Sequence, residues 1–190
     1  MFDSWLSDTL HKHIFTSTDC GATFTAHDLE FVPELVEFDK AHDKLFLVHD
    51  LEDTEKKLYV TKNFGETFSH VQAYVKSFYL HHEGLDTTLY VQRLEPDNST
   101  TILSSNNFFE RQIDTHLLFR GAMEFEYREG FLFVTKKGGE NEEDSDHIDL
   151  LISAGGERFV HADFGMEDLP NLDYHIVDVT PEGQVGLSHY

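Results

Sequence analysis

The sequence predicts an all-β fold, a fragment of β-propeller with about three complete four-stranded blades and two half blades, and three observations predict it. A short motif recurs: STDCGATF at 17 returns as TKNFGETF at 61, 44 residues on, with glycine, threonine and phenylalanine in the same places. Weaker copies follow as SSNNFFER at 104 and SAGGERF at 153. The runs between copies are short and rich in β-branched and aromatic residues, with turn residues between them, which is the patterning of strands and not of helices. Each interval holds four such runs, so whole four-stranded units repeat every 43 to 49 residues, which fits propeller blades better than a sandwich.

Residues 1–29 supply the last two strands of a first unit, separated by the first motif copy. The second unit, 30–71, reads as the strands ELVEFD, KLFLVHD, KKLYVTK and TFSHVQ, with KAHD, LEDTE and NFGE as turns. The third, 72–116, gives VKSFYLHH, TTLYVQRL, TTILSS and RQIDTH. The fourth, 117–167, gives AMEFEYR, GFLFVTK, IDLLISA and RFVHADF, and its extra length is the polar insertion KKGGENEEDSDH, Lys136 to His147. In 168–190, DYHIVDV and GQVGLSHY read as the first two strands of a fifth unit. Three blades cannot close a ring and would leave sheet faces open, so the chain is expected to be part of one propeller domain of a longer protein.

Each motif residue has a structural task. Gly21 and Gly65 supply the positive φ that the turn between third and fourth strands needs. Asp19 and Asn63 are placed to accept backbone N–H groups of that turn, and Ser17, Thr61, Thr23 and Thr67 to add hydroxyl bonds. Phe24 and Phe68 are placed to pack between neighbouring sheets. The third copy is aligned on Ser104 and Asn106, with Phe108 where glycine stood; the fourth retains Ser153, Gly156 and Phe159.

Composition narrows the partners. With 36 acidic and 14 basic residues the formal charge is −22, so nucleic acid and anionic membranes would be repelled and charged partners are expected to be basic. A 39% hydrophobic chain can bury a core, no run reaches the roughly 18 apolar residues of a membrane span, and the N-terminus is not a signal peptide. Cys20 is the single cysteine, so no internal disulfide forms. It reads as a turn residue or free thiol, with no histidine beside it in sequence to make a nucleophile.

Three further features bear on function. NST at 98–100 is a glycosylation sequon in a hairpin turn, which places Asn98 at the surface. Glu140, Glu142, Glu143, Asp144, Asp146 and Asp149 offer enough oxygens for calcium, but a solvated acidic insertion explains them more simply, and no metal or other cofactor is expected. Among thirteen histidines, the pairs His81, His82 and His11, His13 could gain charge in a mildly acidic compartment.

STDCGATF matches the Asp-box found in sialidases, some glycoside hydrolases and sortilin-type sorting receptors. The full series HIFTSTDCGATF, KLYVTKNFGETF, GFLFVTKK, IDLLISAGGERF and DYHIVDVTPEGQV resembles the middle blades of the luminal ten-bladed propeller of the sortilin-type vacuolar protein sorting receptor family. That resemblance covers essentially the whole chain. It implies the luminal part of a type I membrane receptor that binds peptides and propeptides in the propeller tunnel and carries them between Golgi, endosome and cell surface. It also implies no enzyme activity, while leaving the ligand-binding residues unknown. The alternative is a sialidase-like or other glycoside hydrolase. A sialidase grips its substrate carboxylate with several arginines. This chain has five, Arg93, Arg111, Arg120, Arg128 and Arg158, and the strand reading sets Arg111 and Arg158 on outer strands, away from a central pocket.

Overall fold

A computed structural model describes residues 12–137, 148–163, 174–180 and 184–189. Among them the structure is all-β apart from one 3-10 turn, built as antiparallel sheets with the strand counts two, four, four, four and two. The chain divides into two compact units, residues 1–89 with 105–115, and 90–104 with 116–190.

In the first unit β1 (His13–Thr16) pairs with β2 (Thr25–Asp28), and the order β3 (Leu35–Phe38), β4 (Phe46–His49), β5 (Leu58–Thr61), β6 (Ser69–Gln72) forms a meander with each strand beside its predecessor. Phe46, Leu47, Val48 and His49 are all buried, because β4 is an interior strand covered on both faces. A strand in that position reads as a continuous apolar run instead of an alternating one. On one face Phe46 and Val48 cluster with Phe31, Ile14, Leu29, Phe64 and Phe68. Phe31 stacks on Tyr59 at 3.9 Å between ring centres, and Phe68 meets Phe31 edge-on at 5.3 Å. On the other face His49 meets the edge of Phe78 at 5.8 Å, and burial lowers its pKa against the Lys56 carbonyl bond.

The next sheet has the order β10 (Thr115–Arg120), β9 (Thr100–Ser105), β8 (Asp86–Leu94), β7 (Val75–Glu83). Its outer strand differs from expectation. Residues 112–114 form the 3-10 turn, and the strand sought at 111–116 begins at Thr115. The turn is longer here because Asn107 reaches past it to Asp114, as described below.

In the second unit β11 (Glu124–Arg128), β12 (Phe131–Lys137), β13 (Ile148–Ala154) and β14 (Val160–His161) form another meander, and β15 (Tyr174–Val179) pairs with β16 (Val185–His189). Phe133, Leu150 and Val179 make its core with Phe131, Ile152, Ala162 and Val185 packed around them. Tyr90 and Tyr127 stack at 5.5 Å, and burial raises both phenol pKa values.

Candidate functional site

The motif copies form turns of one kind. Two consecutive residues are left-handed in each: Cys20 and Gly21 (φ 57 and 84), Phe64 and Gly65 (59 and 93), Phe108 and Phe109 (59 and 62), Gly155 and Gly156 (73 and 86). In the first turn the Gly21 N–H donates to Ser17 Oγ at 2.8 Å, and the Thr23 N–H and hydroxyl donate to the two Asp19 oxygens at 2.9 and 2.7 Å. The second repeats this, with Gly65 N–H on Thr61 Oγ1 and Thr67 N–H on Asn63 Oδ1, both at 2.9 Å. One bond reverses: the Asn63 amide donates to Thr67 Oγ1, since an amide carries N–H groups where a carboxylate only accepts.

The third turn sits one residue beyond its expected place. Ser105, not Ser104, accepts the N–H of Phe109 at 3.0 Å, and its hydroxyl donates to Asn107, not Asn106, at 2.7 Å. Ser104 is buried within β9 and Asn106 is exposed. Phe109, not Phe108, therefore stands in the glycine place. The doublets Ser-Ser, Asn-Asn and Phe-Phe hid the shift, and the corrected start lies 44 residues from Thr61, the same interval that separates Ser17 from Thr61. Arg111 occupies the threonine place, so the Asn107 amide turns to Asp114 at 2.6 Å. The fourth turn is one residue shorter and keeps a single such bond, Gly156 N–H to Ser153 Oγ at 3.1 Å.

The phenylalanines diverge. Phe68 enters the core beside Phe31 and Phe46, and Phe159 meets Phe119 edge-on at 5.1 Å. Phe24 is 63% exposed, against the expectation that it packs between sheets, because no described residue supplies a sheet on its outer side.

The hydroxyl and N–H of Thr23, with the Ser17 hydroxyl, hold Asp19 down at about 2. A depressed carboxyl pKa favours the fold above the ordinary value of 3.8, and that contribution is lost as pH falls towards 2. A carbon NMR titration of Asp19 is expected to give a midpoint near 2. A midpoint near the ordinary value would mean that the turn's bonds do not persist in solution.

A second polar assembly, absent from the sequence reading, lies in the first unit. The Asp39 side chain is wholly buried. Its carboxylate accepts the N–H groups of Ala41 at 2.7 Å and His42 at 2.8 Å, the Thr87 hydroxyl at 2.8 Å, and His42 Nδ1–H at 3.2 Å. Because the Thr87 proton is committed to Asp39, the contact from His82 Nδ1 to Thr87 Oγ1 at 3.3 Å has the ring nitrogen as donor. Burial alone would raise the Asp39 pKa, but the bonds from Thr87, Ala41 and His42 outweigh it and leave it lowered.

Two clefts open at opposite ends of the β3–β6 sheet. The cleft at the motif end, about 610 Å³, is lined by His42, Lys44, Lys62, Thr87, Asn107 and Phe108 among others. Lys62 there pairs with Glu110 at 2.6 Å and lies over the Phe108 ring. The cleft at the other end, about 730 Å³, is lined by Asp28, Glu30, Asp50, Glu52 and Asp53 against Lys12 and His13, over Phe31. This strongly acidic lining suits a cation.

Arg93 is held by Glu95 at 2.8 Å and Arg128 by Glu126 at 2.5 Å, while Arg111, Arg120 and Arg158 are exposed, Arg111 capping the 3-10 turn and Arg158 in the loop before β14. No group of three or more metal-type ligands occurs among the described residues. Glu140, Glu142, Glu143, Asp144 and Asp146 lie outside them, as does His11; Asp149 lies within β13, opposite Lys136 of β12. His82 belongs to the Asp39 assembly, and His13 pairs with Asp28 at 2.7 Å. Cys20 is exposed and free, and Asn98 is exposed. No described helix is long and apolar enough to cross a membrane.

The sequence matches the family described as "Sortilin, neurotensin receptor 3" over residues 3–187. It is 25% identical over 182 residues to the human sortilin-related receptor, covering 93% of this chain and 8% of that protein. The mouse sortilin-related receptor gives 25% over 181 residues, 92% of this chain and 8% of the relative. The rabbit (Oryctolagus cuniculus) sortilin-related receptor gives 26% over 133 residues, 68% and 6%. The chain thus spans less than a tenth of the length of these relatives.

Proposed function

This chain belongs to the sortilin family, and from that membership we propose that it forms part of the luminal ligand-binding propeller of a sorting receptor. The receptor takes peptide or protein cargo for endocytosis and for traffic between Golgi and endosome, and this segment performs no catalysis. The observation that carries the reading is the family match over residues 3–187 on a chain folded as successive four-stranded sheets. The segments 30–71, 72–116 and 117–167 serve as its blades, the segment 72–116 extended to Arg120 by β10, and 1–29 and 168–190 as half blades of the same domain. The motif turns at Ser17, Thr61, Ser105 and Ser153 brace the blades and do not bind cargo.

Cargo is basic in this reading, supported by the formal charge of −22 and by the acidic cleft at the end away from the motif turns. The test is calorimetric titration of the chain with a peptide alternating lysine and arginine with neutral residues, beside a sequence-matched peptide carrying glutamine in their place. The basic peptide is expected to bind and to weaken by about tenfold or more between low and physiological salt, as exposed charges are screened beyond roughly 8 Å. Equal binding of both peptides, or none, would overturn the cargo reading. A fluorogenic sialoside and glucoside should be hydrolysed no faster than in buffer, and turnover of either would overturn the non-enzymatic one.

A further inference from the structure

We propose that Asn98 is an N-glycan acceptor and that the glycan is added to the nascent chain before the β8–β9 hairpin closes. Asn98 heads the one Asn-X-Ser/Thr triplet in the sequence. It lies at the exposed tip of the hairpin, where its N–H donates to the Glu95 carbonyl at 3.0 Å and its φ is +62. That left-handed position is what the fold requires of residue 98, and glycine would meet it as well. The residue is exposed, and its tie to the hairpin is this backbone bond.

The other end of the triplet is closed. Thr100 is 8% exposed, and its hydroxyl donates to the Ala122 carbonyl. Between them Asp97 ties down Ser99, accepting its N–H at 3.0 Å and its hydroxyl at 2.6 Å. A transferase that must engage the threonine hydroxyl while it acts on the asparagine cannot reach both groups in the folded hairpin. Transfer therefore comes first. The reaction joins Asn98 Nδ2 to the anomeric carbon of a lipid-pyrophosphate-linked oligosaccharide; the bond from that carbon to the pyrophosphate oxygen breaks, the lipid pyrophosphate leaves, and Nδ2 loses one proton. Folding then buries Thr100 and leaves the sugar outside.

Use of the site in the cell rests on the luminal reading above, so the test separates the two. The full chain, behind a heterologous signal sequence, is translated in the presence of microsomes. One endoglycosidase-sensitive mobility shift is expected, lost in Asn98→Gly, which keeps the turn, and retained in Thr100→Ser, which keeps the hydroxyl. Purified folded chain offered to detergent-solubilised transferase with the lipid-linked donor should remain unmodified, while the same chain held unfolded in mild urea is modified. A wild-type chain without the shift, or a shift that survives in Asn98→Gly, overturns the acceptor assignment, and equal modification of folded and unfolded chain overturns the order. If the microsomal chain is modified and the protein from its native cells is not, the luminal reading fails while the acceptor assignment stands.

Discussion

Gly156→Ala is expected to lower stability by about 2–4 kcal/mol, read as the shift of a urea unfolding transition. Two costs combine. The backbone at φ +86 is one that side-chain-bearing residues rarely adopt, and an added Cβ would lie 3.0 Å from Leu118 Cδ1 and 3.2 Å from Leu132 Cδ1. Leu118 is half-buried and can give way, but Leu132 is fully buried in β12 and has no space to move into. Gly155→Ala separates the two costs, because φ there is +73 but nothing lies within 4 Å of the new Cβ. It should lose only about 1–2 kcal/mol. Equal losses at the two positions would mean that the close approach of Gly156 to the leucines contributes nothing.

Asp39→Ala is expected to cost about 3 kcal/mol, because it strands the N–H groups of Ala41 and His42 and the hydroxyl of Thr87 around a buried site. Thr87→Val, which removes one donor to a charged acceptor, should cost about 1.5–3 kcal/mol. The effect of pH has a definite sign. Since the folded-state pKa of Asp39 is lowered, the ionised carboxylate favours folding above the ordinary 3.8. Its contribution declines as pH falls below that value towards the depressed one. The stability gap between wild type and Asp39→Asn should therefore be constant through neutral pH and narrow in acid. A gap that widens in acid would contradict the assigned hydrogen bonds. Because the Thr87 hydroxyl is one of the donors that lower the Asp39 pKa, Thr87→Val should change the acid dependence as well as the overall stability.

Most of the strand plan was legible because blade strands carry strong local signals. KLFLVHD contains β4 and IDLLISA is β13, both apolar runs bounded by turn residues, and the recurring Gly-x-Thr-Phe set the phase of the first two turns. The third turn was misplaced by one residue because three doublets leave the alignment degenerate in sequence. Only the hydrogen bonds, Phe109 N–H to Ser105 Oγ and Ser105 hydroxyl to Asn107, break that tie. The displaced start of β10 follows from the same place, since Asn107 reaches Asp114 where the first two copies use a threonine four residues from the acid or amide. Phe24 looked like Phe68 in sequence, yet whether such a ring is covered depends on the neighbouring sheet and not on its own motif.

The Asp39 assembly left no readable trace, because its members, Asp39, His42, His82 and Thr87, come from segments up to 48 residues apart and only packing brings them together. An Asp ahead of a short turn was indistinguishable from an ordinary turn cap. The acidic cleft has the same origin: Asp28 ends β2, Glu30 follows it, and Asp50, Glu52 and Asp53 come from the loop after β4, and their shared end of the sheet follows from strand direction. What sequence did carry to function was the series of motif copies and intervals, and it pointed to the family that the match over residues 3–187 shows.

Full-length sequencing of the transcript that encodes this segment tests the receptor account most directly. The account predicts further four-stranded units carrying the same turn motif on both sides of residues 1–190, a signal sequence ahead of them, and a single apolar stretch of roughly 20 residues downstream, long enough to span a bilayer. A transcript that instead continues into a glycoside hydrolase domain, or one that encodes neither further units nor a span, would contradict it.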